Sequence, residues 1–149
     1  MMLYLDNAAT TLKKPLSVYA TLFKSTLFSG GNAGRGGHKM SMDAVRAIVD
    51  TQDLIAQLFN IKKAENIVFT QNATYALNTA ILGTMSNGGH IVVTEMDHNS
   101  VLRPACLPDN YTVVKADKSG YVHAEDIEKA VRKDTCLLYT SPSPRDRQK

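Results

Sequence analysis

The residues best placed to do chemistry lie at Asn72–Ala73–Thr74. Before them, Ile67 to Thr70 are β-branched and aromatic, which predicts a buried strand. After them, Ala76, Leu77, Ala80 and Ile81 recur at helical spacing, so strand gives way to helix within three residues. Asn72 stands where an N-cap belongs. The first free amides of such a helix, from about Ala73 to Tyr75, point beyond the strand end. Together with the positive end of the helix dipole and the Thr74 hydroxyl they suit a phosphate. Strand-to-helix turns also occur in every α/β protein, and most bind nothing.

His98 is the second candidate. It lies in Glu95–Met96–Asp97–His98–Asn99–Ser100, just past the apolar run His90–Ile91–Val92–Val93–Thr94. A histidine there can be a hydrogen-bonded cap, or a group that carries protons near neutral pH. The third candidate is the glycine-rich stretch 30–37 with Asn32, Arg35 and His38. Its glycines let backbone approach a ligand, and Arg35 or His38 could meet a carboxylate. The alternative is a flexible surface linker. Gly31 and Gly36 have the spacing of a nucleotide-binding loop, but Gly37–His38 stands where Lys and Ser/Thr are needed, and a helix precedes the loop where a strand should.

The elements that must hold these residues follow from periodicity. Leu3–Tyr4–Leu5 leads into the small, polar turn Asp6–Asn7–Ala8–Ala9–Thr10–Thr11. Pro15 suits a first helical turn, and Val18, Leu22 and Phe23 continue that helix to about Ser29. A second helix starts near Ser41, carries Val45, Ile48, Val49, Gln52, Ile55, Leu58 and Phe59 along one face, and ends at Asn60. Beyond the Asn72 helix come a buried-type strand over 90–94, a short helix limited by Pro104 or Pro108, a strand over 111–116, a helix over 124–132 and a strand from Cys136. Alternating strands and helices at this spacing predict a parallel sheet covered on both faces. Ligands then sit beyond the carboxyl ends of the strands, which selects the turns at Asn72 and His98 as neighbours on one rim.

Composition narrows the class. The 149 residues suffice for one domain with a core, and 44% hydrophobic with 21% charged residues is ordinary for a globular chain. A formal charge of +3 without a basic, aromatic-interleaved stripe gives no reason to expect nucleic acid as a partner. There is no signal-peptide pattern and no apolar run of membrane-spanning length, so a cytoplasmic protein is expected. Cys106 and Cys136 offer neither a disulfide framework nor metal-ligand spacing, and no metal is expected.

Four landmarks in order, residues 4–11, 32–38, 69–74 and 95–99, resemble those of the class V aminotransferase family, in its cysteine desulfurase and selenocysteine lyase branch. The match runs from about Leu3 to Leu138. The resemblance implies part of the large domain of the aspartate-aminotransferase fold (fold type I), with a mostly parallel sheet and helices on both faces. It implies pyridoxal 5'-phosphate as cofactor, L-cysteine or a similar amino acid as substrate, a homodimer at full length, and a possible sulfur-acceptor protein. Carried over by motif, Ala73 and Thr74 hold the cofactor phosphate, and His98 stacks on the pyridine ring and handles protons. Asn7, Ala8, Asn32, Arg35 and His38 line the substrate pocket.

The chain also departs from the family's pattern. The Schiff-base lysine, the aspartate that pairs with the pyridine nitrogen and the sulfur-accepting cysteine all belong to later parts of family members. Gly37–His38–Lys39 imitates the lysine's setting, but Lys39 falls in the family's early loop and is expected to be a solvated side chain at a helix start. Cys136 is expected to be a small buried hydrophobe and Cys106 to serve helix packing. Residues 1–138 are thus expected to be the N-terminal part of the cofactor-binding large domain. Residues 139–149, with Pro142, Pro144 and a charged end, read as a joined, non-native tail. The expected function is a fragment, inert by itself, of a cysteine desulfurase. Another class V enzyme (aminotransferase, selenocysteine lyase or kynureninase-like) and a non-catalytic α/β phosphate-binding domain are the alternatives.

Overall fold

The computed structural model describes residues 3–5, 7 and 10–140. Asp6, Ala8, Ala9 and residues 141–149 of the expected tail lie outside the described residues. The chain forms two units, which meet in sequence between Val68 and Phe69.

In the first unit, α1 (Leu16–Phe28) starts after Pro15, whose φ of −52° already suits a helix, and stops at Ser29, whose N–H reaches Ser25 O at 2.9 Å. Pro15 occupies the cap position and not the first turn itself. None of the α1 side chains is buried. Helix α2 (Lys39–Phe59) begins two residues earlier than the sequence predicts, because the His38 ring caps it. It ends at Asn60, which adopts the left-handed conformation (φ 54°) that asparagine tolerates better than most residues. Of α2 only Ser41 and Ala56 are buried.

A single 3-10 turn, Ala64–Asn66, follows. Here the structure differs from the predicted strand over 67–70. Ile67 is extended (φ −95°, ψ 118°), but no strand pairs with this segment among the described residues. Its carbonyl instead accepts a 2.7 Å hydrogen bond from Gln52 Nε2 of α2. Val68 and Phe69 are 79% and 49% exposed. β-branched residues favour a strand only when a ladder and a face exist to receive them.

The second unit is built around β1 (His90–Thr94), every residue of which is buried. Preceded by α3 (Ala73–Met85) and followed by α4 (Asn99–Ala105), β2 (Tyr111–Val114), α5 (Ala124–Ala130) and β3 (Thr135–Leu138), it forms the centre of a parallel sheet ordered β2-β1-β3. Ile91 pairs with Tyr111 on one side and Leu137 on the other, with an irregularity between His90 and Ile91 on the β3 side. The chain goes out from β1 to β2 through α4 and back across to β3 through α5. Ile91 and Val93 pack with Ile81 and Met85 of α3 and Val101 and Ala105 of α4. Each of these side chains except the smaller Ala105 contributes roughly 1.5–3 kcal/mol by leaving water.

The amino end of the sheet is stapled by polar groups. The fully buried His90 ring sits between two hydroxyls, Thr135 Oγ1 on β3 and Thr112 Oγ1 on β2, each 2.8 Å away. Beyond β2 the Asp117 carboxylate accepts from Ser119 Oγ (2.6 Å) and from the amides of Ser119 (2.8 Å) and Tyr121 (3.0 Å), and these bonds pull its pKa down to about 2.

Both cysteines are exposed, contrary to the expectation of a buried Cys136 and a packed Cys106. Cys106 is the C-cap of α4, and Cys136 lies on an edge strand whose residues alternate in burial. Tyr139 N donates to Val92 O at 3.0 Å, which carries the pairing one residue beyond β3. Among the described residues no helix is long and apolar enough to cross a membrane.

Candidate functional site

At the start of α3, the Asn72 side chain accepts from Tyr75 N at 2.9 Å and the Asn72 carbonyl accepts from Ala76 N at 3.1 Å. The cap therefore consumes the Tyr75 amide, which the sequence had counted among the free donors. The Ala73 and Thr74 N–H groups and the Thr74 hydroxyl have no acceptor among the described residues. Thr70 Oγ1, at 3.0 Å from Asn72 O, braces the turn that aims them.

The second turn begins where β1 ends. Asp97 is buried, and its Oδ2 accepts from Thr94 N (2.7 Å) and Thr94 Oγ1 (3.0 Å), folding the chain back on the strand. That places His98 at the N-cap of α4. Its Nδ1 accepts from Ser100 N at 3.1 Å and lies 2.9 Å from Ser100 Oγ. A ring nitrogen that accepts from a backbone amide is unprotonated, so Nε2 is the donor of the neutral ring. The ring is exposed.

One side chain connects these turns. Asn78, one helical turn beyond Thr74, donates from Nδ2 to Thr74 O at 2.8 Å and reaches Ser100 O at 3.4 Å. Sequence reading missed Asn78. Its signal is a single amide side chain among Ala76, Leu77, Ala80 and Ile81, where helix packing alone calls for an apolar residue. Asp97, whose part is to turn the chain, was also passed over.

The other expected site residues belong to the first unit. Asn7 N donates to Leu5 O at 3.2 Å, while Ala8 lies outside the described residues. Asn32 Oδ1 accepts from Gly34 N (2.8 Å), and Arg35 and His38 are exposed. The loop is anchored by the fully buried Ser41, whose Oγ is 2.7 Å from Asn32 O, 2.9 Å from Gly36 O and 3.2 Å from Arg35 O. Gly31 presses on α2 so closely that a Cβ there would lie 2.3 Å from the Met40 backbone. The loop is thus docked and not a free linker, although Arg35 itself forms no ion pair among the described residues. Lys39 is exposed and pairs with Asp43 at 2.6 Å at the helix start. No cluster of His, Cys, Asp and Glu suited to a metal ion occurs among the described residues.

The parallel sheet β2-β1-β3 with helices between its strands defines an α/β protein, and Asn78 links the turn at Asn72 to the one that holds His98. Residues 3–143 match the family model for the class-V aminotransferases. The chain belongs to the class V aminotransferase family. It is 39% identical over 105 residues to a probable cysteine desulfurase of Aeropyrum pernix, an alignment covering 68% of this chain and 25% of that protein. It is 33% identical over 144 residues to the cysteine desulfurase IscS of Dictyoglomus turgidum, covering 91% and 36%. The chain therefore spans between a quarter and just over a third of the length of these relatives. Among solved structures, a NifS-like protein superposes with a TM-score of 0.76 at 24% identity, over 89% of this chain and 37% of the other. The fold is part of the large domain of the fold type I architecture.

Proposed function

We propose that residues 1–138 supply the N-terminal part of the large domain of a pyridoxal-phosphate-dependent cysteine desulfurase, which releases sulfur from L-cysteine, and that residues 139–149 are foreign to it. The observation that carries this reading is the pair of unconsumed amides at Ala73 and Thr74, linked through Asn78 to the turn that holds His98. A phosphate dianion needs donors and no competing acid. This turn offers two amides, a hydroxyl and a helix start, and of the two carboxylates in the second turn Asp97 is turned back on Thr94 while Glu95 accepts from Ala116 N. The donor set fits the group.

When bound, pyridoxal phosphate supplies an electron sink for the substrate's Cα electrons. The chain's own residues bind and orient. Ala73 N, Thr74 N and Thr74 Oγ1 hold the phosphate. His98, fixed through Nδ1 by Ser100, presents its flat ring for stacking and a proton at Nε2. Asn7, Ala8, Asn32, Arg35 and His38 line the substrate pocket, with Arg35 free to meet a carboxylate. The lysine that binds the cofactor covalently and the cysteine that accepts sulfur come from outside this chain, which is inert alone. The full-length protein is a cytoplasmic homodimer that passes sulfur to an acceptor protein.

The test is a chimaera in which residues 1–138 replace the matching third of the Dictyoglomus turgidum relative. It is expected to release sulfide from L-cysteine, while this chain with pyridoxal phosphate releases none. In the chimaera, Thr74→Ala is expected to weaken cofactor retention by about 1–2 kcal/mol, the scale of a hydrogen bond to a charged group. A folded chimaera that retains cofactor equally with and without Thr74 would refute the phosphate assignment. One that binds cofactor but never releases sulfide from cysteine would point to another class V reaction.

A further inference from the structure

The Ser100 carbonyl poses a problem that Asn78 solves. In an α-helix the carbonyl of residue 100 accepts from the amide of residue 104, but residue 104 is Pro, which has no N–H. Ser100 and Pro104 are both buried, so water is a poor substitute. The donor that reaches Ser100 O comes from another helix: Asn78 Nδ2, at 3.4 Å. The same nitrogen holds Thr74 O at 2.8 Å. Asn78 is half-buried on α3, with Leu77, Ile81 and Leu82 as well as Thr74 and Thr79 at neighbouring helical positions, and asparagine there costs several tenths of a kcal/mol of helix propensity. An apolar residue there would be cheaper for the helix and would leave Ser100 O without this donor.

We propose that Asn78 is a positioning residue that sets the phosphate-binding turn in register with His98, by donating to the carbonyl that Pro104 leaves open. The inference rests on the reading of Ala73, Thr74 and His98 given above. Ser100 clamps the imidazole through its N–H and hydroxyl, and Thr74 offers its N–H and hydroxyl to phosphate, so a single side-chain amide touches both halves of the site.

The experiment is a titration of the isotopically labelled chain with pyridoxal 5'-phosphate, with pyridoxal as the phosphate-free control, followed by NMR at the Ala73 and Thr74 amides and the His98 ring. In the wild type both sets of signals are expected to move along one binding curve with the phosphorylated ligand only. In Asn78→Ala the amides are expected to respond while the His98 response is lost, and the Kd to rise several-fold. Asn78→Asp, which keeps the shape and removes the donor, is expected to behave as Asn78→Ala. Adding Pro104→Ala to Asn78→Ala gives residue 104 an N–H and is expected to restore the joint response, which a merely structural loss would not. Joint movement with unchanged Kd in Asn78→Ala, or no rescue in a folded double variant, overturns the proposal. A wild type in which neither set responds overturns the phosphate reading itself, and this inference with it. Should Asn78→Ala not fold, Asn78→Asp and the double variant decide by the same criteria.

Discussion

His90 shows how much one buried side chain can hold. Both ring nitrogens are engaged by hydroxyls on the flanking strands, so the neutral ring ties all three strands at their amino ends. Burial, the largest influence, lowers its pKa from the usual 6.5; Arg132 pushes the same way and Asp134 opposes. The unfolded chain therefore binds a proton more readily than the folded one just below pH 6.5, and stability rises with pH there. The contribution of His90 is full above its unfolded value and is lost as pH falls through about 6.5 towards the lowered folded value. Urea midpoints of the second unit should drop over that interval, and His90→Gln should flatten the drop. A midpoint equally steep in that variant would assign the effect to other groups. Asp117 acts in a separate window: its stabilising bonds persist above the ordinary 3.8 and fail as pH nears about 2.

At the scale of elements, the docking of the glycine loop on α2 makes a sharp forecast. Gly31→Ala puts a carbon 2.3 Å from the Met40 carbonyl group, so backbone must move, and a loss of about 1–3 kcal/mol is expected from such overpacking. Gly37→Ala, with nothing within 4 Å, should be close to neutral. Amide exchange at Ser41 and urea unfolding of the first unit read both, and equal effects would show that the loop is not docked as described.

These elements also show what the sequence could reveal. The strands expected over 90–94, over 111–116 and from Cys136 were legible because their apolar runs really are packed in a sheet, although the second ends at Val114 and the third starts at Thr135. The same signal at 67–70 misled, since a ladder depends on residues far along the chain. Local rules identified Asn60 as a helix end, Asn72 as a cap and the amides at Ala73 and Thr74 as donors. They could not reveal Asn78, whose meaning depends on a proline 26 residues later, nor that Cys136 would fall on an open edge.

For the whole molecule, the two units differ in what holds them. The second has a continuous apolar cluster around β1, whereas in the first the only buried apolar side chain is Ala56 among the described residues, and α1 buries nothing. Cooperativity follows burial, so the two should not unfold together. Hydrogen exchange is expected to give α1 amides little protection and β1 amides the most, with helical signal lost in denaturant before the sheet melts. A single coincident transition by both probes would contradict this.

The strand order has a further consequence during synthesis. β1 and β2 leave the ribosome together with only a short helix between them, but the far side of β1 is filled by β3, the latest strand of the three. Until Leu138 emerges, a nascent chain therefore carries His90 to Val92 with one flank unpaired. Translational pauses shortly before that point prolong a sticky intermediate, and pauses after it do not.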